Sequence, residues 1–169
     1  AFLDAAKTER EAVSEAVKMA ERKGFVPFEQ GKKYEKGAKV YFNNRGKTIA
    51  LAVIGEEAVE KGVSITAAHV DSPRLDLKPN PLYEDSDLAL FKTHYYGGIK
   101  KYQWTVTPLA IHGVFALRNG EVIGVSIGEK DDEPKFVIGD LLPHLATEQS
   151  KRTLNEGIKG EELNVLVGS

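Results

Sequence analysis

A chain of 169 residues that is 41% apolar and 28% charged has enough core-forming residues for one folded domain or two small ones, with no deficit that would signal disorder. Its 23 Lys and Arg against 25 Asp and Glu leave a formal net charge of -2, which excludes a whole-chain basic field, so nucleic acid is not an expected partner. Zero cysteines excludes a disulfide framework and every thiolate metal site, so any metal must be held by nitrogen and oxygen.

Thr8-Glu9-Arg10-Glu11 has the spacing of a capping box, in which a hydroxyl and a carboxylate satisfy free backbone amides at a helix start. An amphipathic helix is predicted from there: Val13, Ala16, Val17 and Ala20 recur at helical intervals, Glu11, Glu15, Lys18, Glu21 and Arg22 face water, and Gly24 offers a left-handed stop. From Lys39 the pattern turns to short β-rich runs. Val40-Tyr41-Phe42, a turn at Asn43-Asn44-Arg45-Gly46 and residues 48–54 predict a hairpin. Residues 56–61 read as a short helical turn, and residues 63–71, apolar nearly throughout, as a strand buried on both faces.

Beyond Pro73 the texture shifts. A boundary is expected near Pro79, with 1–79 as the amino-terminal part of an α/β domain and 80–169 as a β-rich domain. After the Asp85-Ser86-Asp87 turn, residues 102–117 read as a strand, Asn119-Gly120 as a two-residue hairpin turn and residues 121–127 as the returning strand. Lys130-Asp131-Asp132-Glu133 is a charged loop, Phe136-Val137-Ile138 a short strand, and residues 140–145 a turn leading into a helix. The apolar run Leu163-Asn164-Val165-Leu166-Val167 asks for a partner from polypeptide beyond this chain, and with no initiator Met a fragment is expected. No apolar run approaches the ~20 residues that span a bilayer, and Ala1-Phe2-Leu3-Asp4 lacks the layout of a signal peptide, so no membrane partner and a cytoplasmic location are expected.

The sharpest chemical feature is His69-Val70-Asp71 at the end of the expected strand, followed by Ser72-Pro73. Side chains two apart on a strand share a face, so imidazole and carboxylate would project together from its carboxyl end, where open α/β sheets bind ligands. An imidazole ligates zinc well, and a neighbouring carboxylate can fix its orientation and tautomer. Taken alone, a His-x-Asp pair more often marks a hydrogen-bonded histidine at a strand end. Glu161-Glu162 and Glu56-Glu57 read as solvated loop or helix-edge acids, and His94 and His112 as core or surface residues without ligand spacing.

Wider context changes the weight of that pair. Ala67-Ala68-His69-Val70-Asp71-Ser72-Pro73 with Leu75-Asp76-Leu77-Lys78-Pro79 resembles the first metal-binding segment of aspartyl aminopeptidases. Tyr95-Tyr96-Gly97-Gly98, with Trp104 after it, is similar to the family's Tyr-Gly-Gly strand, and Leu141-Leu142-Pro143-His144-Leu145-Ala146 resembles the histidine segment of its inserted domain. The likeness covers nearly the whole chain. Trp104 leads into Thr105-Val106-Thr107-Pro108-Leu109 rather than the family's Asp-Arg-Asp-Leu stretch, which points to a bacterial or archaeal branch.

The resemblance implies the start of a zinc-peptidase α/β catalytic domain followed by a β-rich inserted dimerisation domain. It implies that His69 is a metal ligand and that Asp71 is the acidic residue beside the metals that positions the imidazole. His144 would either ligate zinc or reach a neighbouring subunit's active site to bind substrate or stabilise the transition state, the second role being preferred. The activity implied is hydrolysis of amino-terminal residues from a peptide substrate, with two zinc ions activating a shared water, in a dimer-based homo-oligomer for which the family suggests a dodecamer. The family's bridging aspartate, its Glu-Glu pair and its last aspartate and histidine would lie beyond Ser169, so the chain alone is expected to be inactive. Two other readings stand beside this one. The chain can be a non-catalytic assembly or dimerisation module, since one histidine does not provide zinc's usual three protein ligands, or part of a related binuclear zinc hydrolase acting on acylated amino acids or other peptides.

Overall fold

The computed structural model describes residues 2–169; Ala1, at the start of the expected amino-terminal domain, lies outside the described residues. The architecture is mixed α/β, and the chain divides into two compact units, Ala1–Ser72 and Pro73–Ser169.

In the first unit a short helix, α1 (Phe2–Ala5), precedes α2 (Glu9–Arg22). The capping box is formed: the Thr8 hydroxyl accepts from the Glu11 amide at 3.3 Å, and the Glu11 carboxylate accepts from the Thr8 amide at 2.9 Å. The helix stops at Lys23, and Gly24 follows at φ +82°, a conformation that costs a residue with a Cβ. Ala12, Val13 and Ala20 are its buried stripe, and it packs on β2 (Lys39–Asn44) and β3 (Thr48–Val53), the expected hairpin. β2 pairs antiparallel with β3 and parallel with the two-residue β1 (Val26–Pro27). Tyr41 donates its hydroxyl to Glu21 of α2 at 2.8 Å, while its neighbours Val40 and Phe42, on the opposite face by strand alternation, line an apolar groove with Phe28, Ala50 and Ala52. After β3 the chain makes one short 3-10 turn, Val59–Lys61.

The strand expected over residues 63–71 is not formed. These residues make no ladder with any described strand, and Val63 and Ile65 are exposed. A strand buried on both faces needs a neighbour to take up its backbone N–H and C=O groups. The apolar run records a preference for such a place, but no described strand supplies one.

The second unit contains β4 (Arg74–Asp85), β5 (Leu88–Tyr96), β6 (Ile111–Ala116), β7 (Val122–Ile127) and β8 (Val165–Gly168). An antiparallel sheet runs in the order β4-β5-β8, and β6 and β7 form a separate two-stranded sheet. Ser86 and Asp87, both at positive φ, make a tight turn that sets Asp85 opposite Leu88. β4 runs through Pro79 and Pro81. Its register to β5 shifts between Leu77 and Leu82, so the prolines, which lack a ladder donor, fall in an irregularity. The hairpin at Asn119-Gly120 has a three-residue loop in place of the expected two-residue turn: Leu117 donates to Glu121 at 2.8 Å, and Gly120 alone takes positive φ, the arrangement of a turn followed by a left-handed glycine.

Two further expectations are corrected. Residues 102–110 are not a strand. A 3-10 turn, Lys101–Gln103, delivers Tyr102 and Trp104 to the core, and among the described residues the only ladder contact is the isolated bridge between Leu109 and Phe136. Their apolar pattern reflects a loop packed on the core, and Pro108 removes a ladder donor. The run at residues 163–167 finds its partner inside the chain, where β8 pairs with β5. Leu163 and Val165 join Ile138 and Ile158 in the buried cluster, with Leu75, Phe91 and Trp104 against it. The Thr93 hydroxyl, buried on β5, donates to the Leu163 carbonyl and ties strand to core.

The charged loop after β7 is ordered by one carboxylate. Glu133 accepts from the backbone amides of Gly128, Glu129 and Lys130 at 2.8, 3.0 and 3.2 Å, and Lys130 pairs with it at 3.2 Å. The Gly128 and Lys130 amides, then the Lys130 side chain, hold its pKa down at about 2 against an ordinary 4.5. Because the folded value is the lower one, the contribution to stability is complete above pH 4.5 and is lost as pH falls toward 2. Glu133→Gln is expected to flatten that limb of the acid-unfolding curve and to leave the curve above pH 6 parallel to that of the parent. An unchanged acid limb would count against this account.

Candidate functional site

His69 and Asp71 lie in the open segment after Lys61, and the structure brings them together. The His69 Nδ1 is 2.9 Å from the backbone oxygen of Asp71 and 3.3 Å from the Asp71 carboxylate Oδ1. A carbonyl oxygen only accepts, so Nδ1 carries the proton and donates to it. In that tautomer the lone pair lies on Nε2, and the imidazole side chain is 83% exposed. The orienting contact expected from the Asp71 carboxylate is thus shared with, and is longer than, the contact to the main chain of the same residue. A peptide carbonyl performs that role for a metal-binding histidine as a carboxylate does. The i to i+2 contact arises without a strand, from a local fold of residues 69–71.

The donor chemistry suits zinc, which takes imidazole nitrogen and carboxylate oxygen. Here it amounts to one imidazole and one carboxylate, and among the described residues no group of three or more His, Asp or Glu is placed to hold a metal ion. The His69–Asp71 pair fits as part of a zinc site.

His144 belongs to the other unit. It sits on a turn in which the Leu145 and Ala146 amides donate to the Leu142 carbonyl at 2.8 and 3.0 Å. The helix expected after Pro143 does not develop, and only a 3-10 turn, Gln149–Lys151, follows. His144 is exposed, and so are Leu141, Leu142 and Leu145 around it. Three leucines flanking one imidazole make an apolar tip. The neck of this loop was not legible beforehand: Asp140 Oδ1 accepts from the Gln149 side-chain amide at 2.9 Å, a pairing nine residues apart with no sequence signature.

The remaining candidates resolve as structural. Glu161 pairs with Lys78 at 2.6 Å, and that contact lowers its pKa. For Glu162 burial opposes ionisation, but the Lys159 amide and the Arg152 guanidinium outweigh it and its pKa is lowered. Both remain ionised acceptors rather than poised proton carriers. Glu56 and Glu57 are held by Lys36 and Lys61. His112 Nε2 lies 2.7 Å from Glu129, and His94 stacks on Tyr95 with centroids 5.7 Å apart.

Residues 2–168 match the model of the family described as Aminopeptidase I zinc metalloprotease (M18). The chain is 51% identical over 172 residues to the "Probable M18 family aminopeptidase 1" of Clostridium acetobutylicum, covering 99% of this chain and 37% of that protein. The crystal structure of an M18-family aminopeptidase from Thermotoga maritima superposes with a TM-score of 0.89 at 48% identity, covering 99% of this chain and 36% of that one. The mApe1 dodecamer of S. cerevisiae, 18% identical and with a TM-score of 0.69, covers 98% and 36% and shares the fold. The chain therefore spans little more than a third of the length of the curated relatives it matches.

Proposed function

The chain belongs to the aminopeptidase I zinc metalloprotease family, M18, and from that premise we propose that the full-length protein is a zinc-dependent aminopeptidase to which this chain contributes one zinc ligand and one substrate-facing histidine. The observation that carries the reading is the His69 Nδ1 hydrogen bond to the Asp71 carbonyl, which leaves Nε2 bare and directed by the tautomer for a metal. When bound, zinc, in this reading as two ions, polarises the peptide carbonyl and lowers the pKa of the attacking water. His69 would hold one such ion through Nε2, with Asp71 fixing the ring through its carbonyl while its carboxylate would balance the local positive charge. His144 approaches the substrate of a neighbouring subunit and donates a hydrogen bond to it. The exposed leucines beside His144 support this, because an apolar tip gains most when buried against another surface. The assembly is accordingly a homo-oligomer built from dimers.

The test is zinc content, by elemental analysis, together with release of amino-terminal residues from short peptides. The full-length protein is expected to retain zinc and to lose turnover on chelation. This chain alone is expected to bind no stoichiometric zinc and to release nothing, since it supplies fewer than zinc's usual three protein ligands. A full-length protein whose peptide release is indifferent to chelators would sink the proposal. A second reading, a non-catalytic assembly module, is favoured by the exposed apolar residues of β6 and β7, Val114, Phe115, Val122 and Ile123. It predicts self-association of this chain by itself, with no zinc bound and no amino-terminal residue released.

A further inference from the structure

Residues 140–149 leave the core just after Ile138, which is 1% exposed, and return at the 3-10 turn Gln149–Lys151. Leu142 and Leu145 are 60% and 62% exposed, so these side chains of the tip hold it only weakly to the body. On the inner side a cavity of about 260 Å³ is lined by Thr105, Asp140, Leu141, Gln149, Arg152 and Glu162 among others. With that cavity beneath it, the neck of the loop is joined by polar ties. Asp140 Oδ1 accepts from the Leu141 amide at 2.8 Å and from the Gln149 side-chain amide at 2.9 Å, joining the two sides of the neck through a charged acceptor. Next to it the Arg152 guanidinium donates to both Glu162 oxygens at 3.1 and 3.2 Å and to the Gly157 carbonyl at 3.4 Å, which fixes the far side of the cavity.

We infer that Asp140 and Gln149 are positioning residues for His144: their hydrogen bond closes the loop at its neck and holds the imidazole at the angle from which it meets substrate. The inference rests on the reading that His144 acts on substrate. Asp140 and Gln149 touch neither substrate nor metal; they act through the loop. A tie of this kind limits the arc the tip can sweep, and a misplacement of the order of 1 Å at a substrate-facing group costs rate rather than fold.

The test uses the full-length enzyme with its zinc. Gln149→Ala is expected to lower kcat by about 10-fold with zinc content and KM changed far less, as expected for lost orientation of a group that works in the transition state. On a His144→Ala background the same change is expected to do nothing further, because the imidazole it positions is gone. Asp140→Asn keeps an oxygen that accepts both bonds and is expected to stay within about twofold of the parent. If Gln149→Ala does not fold, Asp140→Ala is taken through the same cycle. An equal fall on both backgrounds, no fall on the parent, or an Asp140→Asn loss as large as that of Gln149→Ala overturns the positioning role while leaving His144 in place. Full activity of His144→Ala itself overturns the underlying reading, and this inference with it.

Discussion

His69→Ala in the full-length protein is expected to abolish metal-dependent peptide release, by about 100-fold or more, with loss of zinc from the site and little change in folding stability. The imidazole is almost wholly in water and its hydrogen bond is local, to a carbonyl two residues on, so its removal opens no cavity. Surface truncations of that kind fall within about 0.5 kcal/mol. What is lost is the directed Nε2 lone pair. Asp71→Asn separates the two orienting contacts: the main-chain carbonyl at 2.9 Å remains, so that variant is expected to keep more zinc and more activity than His69→Ala. Zinc content, chelator sensitivity and turnover are measured on the same preparations, with circular dichroism to confirm the fold. Undiminished zinc and turnover in His69→Ala would remove His69 from the metal centre.

Leu163→Ala is expected to have the largest effect on stability, about 2–5 kcal/mol, because the side chain is wholly buried and the cavity left by truncation relaxes only in part. Ile138, Ile158 and Val165 surround it, and Leu75, Phe91 and Trp104 close the cluster, so one truncation removes contacts from both the sheet and the loops that cross it. The Thr93 bond to the Leu163 carbonyl is to main chain and survives, which keeps the loss one of packing. Leu154→Ala, at a site 66% exposed, serves as the contrast and is expected to move the urea midpoint very little. Equal midpoints for the two variants would show that the cluster is not the core of this unit.

Much of the local structure was legible because it is written in short spacings. The capping box at Thr8 and Glu11, the hairpin at residues 39–53 and the turn at Ser86 and Asp87 each involve groups a few residues apart, whose geometry follows from chain sterics and hydrogen-bond reach. Harder to read were the features set by distant neighbours. Residues 163–167 have the composition of a strand, but that β5 would be their partner is a fact about residues more than seventy positions away. Residues 102–110 and 63–71 have similar apolar texture and part company in three dimensions: the first folds Tyr102 and Trp104 onto the core, and the second stays open with Val63 and Ile65 in water.

The candidate site divides the same way. His69 and Asp71 could be picked out as a pair because the contact is i to i+2, and the family to which the chain belongs was visible in the order of three segments. The sequence by itself determined which groups are candidates for the chemistry: an imidazole beside a carboxylate, a second imidazole among leucines, and no thiol anywhere. Only the folded structure decided that the Asp71 main-chain oxygen accepts the hydrogen bond of the ring, that Glu161 and Glu162 are engaged by Lys78 and Arg152, and that Asp140 reaches Gln149 to close the loop. The physical reason is that an ionisable side chain is defined by what stands within a few ångströms of it, and over that distance covalent neighbours and folded neighbours compete on equal terms.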